Sequence, residues 1–392
     1  MEFSFTFSGP VRVIFGQGSS RQVGAEAEGL GVRKVLIVTD RGVRGAGLVA
    51  PIEEILRRGN IDFGTFDDVE ANPTIENVNE GSRIFRDVKA QALIGIGGGS
   101  SIDTAKAIAL VGMTGLSIDH LVEKDDPSLE KSVSQSKDRI PIIALPTTAG
   151  TGSEVTTALV IKDKVKGVKA APRVTALKPA VAICDPLLTL TLPPGITKAT
   201  GVDAFTHALG SYTNRVFNPV VEIGDLEAMR LAAENLPLVV ARGDNLDARA
   251  NMMYASLLAG IGISNTGNDL THAMALPVEG FFDSTHGEVC SALLPHCVEF
   301  NILGDPEKFY RVAQAMGENL EGMSLLEGSL RAVSAIRNFL RRIDMPHRLA
   351  DLGIDKGRIQ EMSEMAIINR STQINVRAIT LEEMIDLYER AW

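Results

Sequence analysis

The chain has 392 residues, 45% of them apolar, more than one compact core of ordinary size needs, so two domains packed together are expected. The net charge of -10 sets the long-range field against phosphate backbones and anionic lipid surfaces, which excludes nucleic acid and membranes as natural partners. Three cysteines, Cys184, Cys290 and Cys297, have neither CxxC spacing nor the density of a disulfide framework, and no apolar run reaches the roughly 18 residues of a membrane span. A soluble protein of the reducing cytoplasm is expected.

The opening segment MEFSFTFSGPVRVIFG alternates aromatic and polar residues as a strand does, without the basic flank and apolar block of a signal peptide. From about residue 33, short β-branched runs alternate with amphipathic stretches, the rhythm of a parallel sheet with crossover helices. Val35-Leu36-Ile37-Val38 predicts a buried strand. Leu48, Ile52, Ile55 and Leu56 follow at helical spacing, with Gly59 placed to end that helix. A weaker strand spans Phe63 to Val69, a helix Ile75 to Val88, and a strong strand Ala92 to Ile96. The next strand is Ile140 to Leu145, with Pro141 near its start. Between Leu121 and Asp138 a charged, Ser-rich segment without periodicity reads as a surface loop. Lys162 to Pro186 suggests a further strand pair, and Pro186 closes the sheet domain.

Beyond Leu187 a period of 3.6 residues takes over. Leu226, Met229, Ala233 and Leu236 make one apolar stripe, and Leu326, Leu330, Val333, Ile336 and Leu340 another. Thr380 with Glu383 forms a capping-box pattern before Met384, Ile385 and Leu387. The boundaries read as 1–186 for an α/β, dinucleotide-binding domain and 187–392 for a helical domain.

Two turns carry candidate chemistry in the first half. The strand ending at Ile96 runs into Gly97-Gly98-Gly99-Ser100-Ser101-Ile102-Asp103-Thr104-Ala105-Lys106. Glycines let the backbone approach a ligand, and free N–H groups at a helix start favour an anion such as pyrophosphate. An ordinary tight turn is the alternative, but the strand before and the helix after favour a nucleotide. The second turn, Pro146 to Thr156, crowds the hydroxyls of Thr147, Thr148, Thr151, Ser153 and Thr156 at the end of a strand, where open parallel sheets bind ligands. Such residues also serve local loop geometry. Asp40, just past the first strand, suits ribose hydroxyls and would repel a 2′-phosphate, yet it precedes the glycines instead of following them, and a helix N-cap explains it equally well.

In the second half, Asp203 and His207 are four apart and share one helix face. His272 and His286 lie in stretches rich in small apolar residues, where a neutral imidazole needs a specific partner. One carboxylate and three imidazoles suit divalent iron or zinc with a position open for a substrate oxygen. Each histidine alone is more simply a satisfied core residue; the set of four argues for a metal. His120, His296 and His347 lack such pairing and read as structural or solvated.

These motifs together resemble the iron-containing alcohol dehydrogenase family within the dehydroquinate synthase-like folds, and the likeness covers essentially the whole chain. It runs through the Gly97 to Ser100 turn with Asp103 and Lys106, the Pro146 to Thr156 loop, Asp203 with His207, and His272 through His296. The resemblance implies a Rossmann-like NAD(P) domain with a parallel sheet, an all-α C-terminal domain, and a metal in the cleft held by Asp203, His207, His272 and His286. It further implies that Asp40 selects NAD, that Asn72, Gly97, Gly98, Gly99, Ser100, Asp103, Thr147, Thr148 and Thr156 line the cofactor site, and that Lys169 reaches the ribose. Members commonly dimerise through an N-terminal strand, which the Phe3 to Phe7 alternation permits. The family expectation for the ion is Fe2+, though the ligand set accepts Zn2+. Many members carry a proton-relaying histidine four residues after the one matching His272; here Leu276 stands there and can neither give nor take a proton.

The expected activity is hydride transfer between NAD(H) and a small primary alcohol or aldehyde. Two alternatives stay open on the residues. One is a non-redox NAD- and metal-dependent reaction of the dehydroquinate synthase kind, which would call for basic residues near the ligand motifs. The other is a nucleotide-binding protein with weak or no catalysis, suggested by Leu276.

Overall fold

The protein is described from a computed structural model, which covers residues 4–9, 11–122, 133, 139–166 and 168–392. They form two compact units, one of Gly9–Thr148 with Gly152–Leu192, the other of Pro193–Trp392 with Ala149–Thr151 and the N-terminal residues through Ser8.

In the first unit, β1 (Arg12–Phe15), β2 (Lys34–Val38), β3 (Asp62–Phe66), β4 (Ala92–Gly97), β5 (Ile142–Pro146) and β8 (Val181–Cys184) make a six-stranded sheet in the order β1-β8-β5-β4-β2-β3. Every pairing in it is parallel. A separate antiparallel pair joins β6 (Ile161–Asp163) and β7 (Val168–Ala170). Continuous apolar runs are what a parallel sheet covered on both faces requires. Successive residues serve opposite cores: Leu36, Val38 and Leu93 pack with Ile75, Val78, Phe85, Ala105 and Ile108, whereas Val35, Ile37, Ile94 and Ile96 pack with Val49, Ile52 and Leu56. The first group comes from α2 (Ile75–Val88) and α3 (Gly99–Thr114), the second from α1 (Val49–Arg58). Each fully buried Leu or Ile contributes roughly 1.5–3 kcal/mol, so these two clusters supply most of the unit's driving force.

β5 begins after Pro141, whose ring nitrogen cannot donate to a ladder, and β3 stops at Phe66, short of the expected Val69. Residues 4–9 form no strand within the single chain, although they alternate as one; Phe3 is outside the described residues. So is most of the segment from 121 to 138 expected to be a surface loop.

The second unit is helical, and no strand occurs among the described residues after Cys184. Its main helices are α4 (Pro194–Thr213), α5 (Pro219–Ala241), α6 (Leu246–Asn265), α7 (Leu270–Phe281), α8 (His286–Asn301), α9 (Leu325–Arg342) and α10 (Leu381–Ala391). The capping box of Thr380 with Glu383 opens α10, as its sequence predicts. In α9 the apolar stripe needs correction. Val333, Ile336 and Leu340 are buried, but Leu326 and Leu330 are each 47% exposed because the inner face passes through Ser329, Ala332 and Phe339 instead. All three cysteines are buried and free, and no described helix is long and apolar enough to cross a membrane.

Candidate metal centre

Three helices of the second unit bring the four candidate ligands together. Pro194 starts α4, and the small side chains that follow let almost its whole length be buried. Asp203 and His207, one turn apart, face the same side. Asp269 caps α7 by accepting the Thr271 N–H, which sets His272 in the first turn. His286 is the first residue of α8. Gly287 beside it allows that position: a Cβ there would lie 2.0 Å from the carbonyl oxygen of Ala199, so any side chain would push α8 away from α4.

The imidazoles converge on one oxygen. His207 Nε2, His272 Nε2 and His286 Nε2 lie 3.5, 3.6 and 3.2 Å from Asp203 Oδ1. The His207 and His272 rings stack at 4.5 Å between centroids, and the four ligand atoms all fall within 4.8 Å of one another. Each ring turns its other nitrogen to an acceptor. His207 Nδ1 is 3.4 Å from the Gly150 carbonyl, His272 Nδ1 is 3.8 Å from Asp269 Oδ1, and His286 Nδ1 is hydrogen-bonded to Glu279 Oε1.

Whether a cation fits can be tested on the residues themselves. Asp203 Oδ1 and both ring nitrogens of His272 are buried without a hydrogen-bond partner, a costly arrangement for a carboxylate oxygen and an imidazole. Donors about 2.1 Å from one ion in tetrahedral array stand about 3.4 Å apart, which matches the three distances to Asp203. Burial, which alone would lift the Asp203 pKa, is outweighed by His207, His286 and His272, and the carboxyl stays well below its usual range. Burial brings His207 down to about 4, so this ring is neutral, as a ligand must be. At His272 burial acts the same way but is overcome by Asp203 and Asp269, and the pKa rises. A pocket that attracts positive charge and presents unshared nitrogens and oxygen fits a divalent cation.

In the first unit, Gly97 has φ +153, and a Cβ there would meet Ser101 Oγ at 2.4 Å. The following α3 has Gly98 as its N-cap residue and no side-chain cap, leaving its first N–H groups available. Thr148 lies against Gly98, and Thr147 is buried just past β5. Asp40 does two things: Oδ1 accepts from Val43 N at 2.9 Å as a helix N-cap, and Oδ2 accepts from Ser101 Oγ at 3.2 Å. Lys169 Nζ reaches Asn72 Oδ1 at 2.9 Å, and the Ser100 hydroxyl bonds the Ala71 carbonyl. Asp103 and Thr156 are turned inward. Asp103 accepts from Ser153, Val160 N and Lys106, and Lys106 Nζ donates to Thr156 Oγ1 at 3.2 Å. They brace the turn. Burial lowers the Lys106 pKa against the pull of Asp103, and raises neighbouring Glu154 to about 7.

The remaining histidines stay apart from the centre: His120 and His347 are exposed, and His296 is half-buried, its pKa lowered to about 4 by burial and by Arg337 and Arg390. Sequence reasoning missed Glu279, 2% exposed, whose only signal was a lone carboxylate inside the apolar run from Met274 to Phe282. It also missed Cys290, whose Sγ lies 3.5 Å from His286 Nε2 one turn along α8.

Comparison with known proteins bears on the whole chain. The sequence profile described as Iron-containing alcohol dehydrogenase matches residues 10–186, and that of the Fe-containing alcohol dehydrogenase family, C-terminal, matches residues 197–392. The chain belongs to the iron-containing alcohol dehydrogenase family. It is 34% identical over 382 residues to the NAD-dependent methanol dehydrogenase of Bacillus methanolicus, covering 97% of this chain and 98% of that protein. To the 1,3-propanediol dehydrogenase of Klebsiella pneumoniae it is 37% identical, covering 97% and 96%. The solved alcohol dehydrogenase from Oenococcus oeni superposes with a TM-score of 0.93 at 32% identity, over 99% of this chain and all of that one. Family membership makes this protein an oxidoreductase, and the non-redox and catalytically silent alternatives give way to it.

Proposed function

We propose that the enzyme passes a hydride between NAD(H) and a small primary alcohol or its aldehyde, with a divalent cation held by Asp203, His207, His272 and His286. The convergence of three Nε2 atoms on the otherwise unpartnered Asp203 Oδ1 carries this reading. When bound, such an ion supplies Lewis acidity, lowering the pKa of an alcohol and polarising an aldehyde, and NAD supplies the hydride acceptor or donor. Iron is the proposed native ion, with zinc accepted by the same donors.

The chain's own residues prepare that chemistry. Asp203 provides the formal negative charge, the Gly150 carbonyl and Glu279 accept behind His207 and His286, and close packing holds the His272 ring. Burial of Asp203, His207 and His272 keeps competing water from the ligand atoms. In the region proposed as the dinucleotide-binding domain, 1–186, Gly97, Gly98, Gly99 and Ser100 let the pyrophosphate approach the start of α3, with Thr147 and Thr148 alongside. Asp40 takes the ribose hydroxyls and disfavours NADP, while Asn72 and Lys169 act as a pair on the cofactor, and Asp103 and Thr156 hold the turn in shape. Residues 187–392 form the proposed metal-binding and catalytic domain. Leu276 supplies no proton relay, so a proton would have to leave through water or another residue.

The relatives named for methanol and 1,3-propanediol support a small alcohol as substrate. A homodimer in the cytoplasm is proposed. Residues 4–8 lie along the helical unit, with Ser8 N donating to Asn265 Oδ1 at 2.7 Å and Asn218 Nδ2 to the Thr6 carbonyl, and Phe5, Phe7, Phe217 and Ile223 remain exposed there for a second copy. Sedimentation of the purified protein checks the dimer. For the activity, protein reconstituted with Fe2+ or Zn2+ is expected to oxidise NADH with short aldehydes; no turnover with either ion, across a panel of aldehydes, refutes the assignment.

A further inference from the structure

The three imidazoles of the centre are not equally held. The side chains of His207 and His272 are 9% and 6% exposed, so packing on all sides fixes their rings. His286 is 30% exposed and sits on the first residue of α8, where Thr285 makes no side-chain cap. It is the donor with least packing around it. It is also the one whose second nitrogen meets a carboxylate at hydrogen-bond distance. His207 faces a neutral carbonyl at 3.4 Å, and the Asp269 carboxylate stands 3.8 Å from His272. The carboxylate of Glu279 touches His286 Nδ1 directly, while Nε2 of the same ring points to Asp203 Oδ1 at 3.2 Å.

Glu279 is 2% exposed at the end of α7, between Val278 and Gly280 in an otherwise apolar run. A carboxylate buried there is expensive unless it has a function that needs it. One ring nitrogen carries the proton and the other the lone pair, and a strong acceptor on Nδ1 decides which is which. We infer that Glu279 is a positioning residue for the metal centre: it holds the proton of His286 on Nδ1, orients the ring, and so presents the Nε2 lone pair to the cation. In effect Glu279 supplies by hydrogen bonding what close packing supplies to His207 and His272. This rests on the four-ligand reading of the centre given above.

The test measures ion binding, not turnover. Metal-free protein, prepared with a chelator, is titrated with Co2+ and followed by the visible absorption of the bound ion. Wild type, Glu279→Leu, Glu279→Gln, His286→Ala and the double variant Glu279→Leu/His286→Ala are compared, with far-UV circular dichroism as the check on folding. Loss of the partner behind a metal-ligating histidine typically weakens metal binding about 10- to 100-fold, and that loss is expected for Glu279→Leu. Glu279→Gln, which keeps an acceptor oxygen for Nδ1–H, recovers most of it. In the His286→Ala background, Glu279→Leu has no further effect. Should Glu279→Leu not fold, Glu279→Asp, which withdraws the carboxylate by one methylene, is expected to weaken binding in its place and to lose that effect in the His286→Ala background. Wild-type affinity in Glu279→Leu or, failing its folding, in Glu279→Asp, or an equal loss with and without His286, overturns the inference. Absence of Co2+ binding by the wild type would instead refute the metal centre itself.

Discussion

Ser101 Oγ donates to Asp40 Oδ2 across 3.2 Å, joining the first turn of α3 to a residue 61 positions earlier. In sequence the acid precedes the glycines, the reverse of the common dinucleotide fingerprint. The sheet order removes the difficulty. β2 and β4 are neighbours, with β3 outside them, so the turn after β2 and the turn after β4 open side by side where the strand order reverses. Ligands of open parallel sheets bind at such a point.

Because Asp40 is both N-cap and proposed ribose partner, its roles can be separated. Asp40→Ser keeps a capping oxygen and removes the charge. The ratio of kcat/KM with NADPH to that with NADH is expected to rise by about tenfold or more, with an unchanged unfolding midpoint. An unaltered cofactor ratio would show that Asp40 only caps the helix.

Asp203→Ala and His272→Ala each remove a proposed ligand from the four that converge within 4.8 Å of one another. Bound iron or zinc, measured by elemental analysis, is expected to fall well below one per chain, and kcat/KM for aldehyde reduction to drop by more than about 100-fold. Dialysis of the wild type against a chelator should reproduce the loss, and readdition of Fe2+ or Zn2+ should reverse it.

Gly287→Ala forces a methyl onto the main chain of α4, since the Cβ would lie 2.0 Å from Ala199 O. Backbone cannot rotate aside as a side chain can, so a loss of at least about 2 kcal/mol in urea unfolding is expected, together with weaker metal binding. Gly195→Ala is the control. Nothing lies within 4 Å of its Cβ position, and its effect should stay within about 0.5 kcal/mol.

Glu154 gives a pH signature. Burial raises its pKa to about 7 in the folded chain, above the usual carboxylate value of 4.5. The folded state therefore holds this proton more tightly than the unfolded state. Its contribution is fully present below pH 4.5 and is lost as pH rises through about 7. Glu154→Gln, which stays neutral, should show little difference from wild type near pH 4.5 and a relative gain of roughly 2–3 kcal/mol by pH 8. Parallel stability curves for the two proteins would contradict this.

Much of the fold is legible in the residues. Apolar runs of parallel-strand length mark β2, β4 and β5, and α2 spans the residues its period predicts, because burial on two faces or on one stripe leaves a direct mark in sequence. Asp203 and His207 could be paired for the same reason, the helical spacing of four. Strand order leaves no such mark, so the neighbourhood of Asp40 and Gly97 became visible only in three dimensions. Glu279 was hidden because a single carboxylate has no period, and its partner His286 belongs to the next helix. The outward turn of Leu326 and Leu330 was hidden too, since small residues such as Ser329 and Ala332 can line a buried face as well as large ones.

The close approach of Gly287 to Ala199 bears on how the proposed ion would be acquired. With the opening turn of α8 set against the main chain of α4, the scaffold already gathers the four proposed donors within 4.8 Å of one another, so loading of an ion would call for little reorganisation. Different divalent ions would then be expected to replace one another in the proposed site without refolding, which far-UV circular dichroism during metal exchange checks.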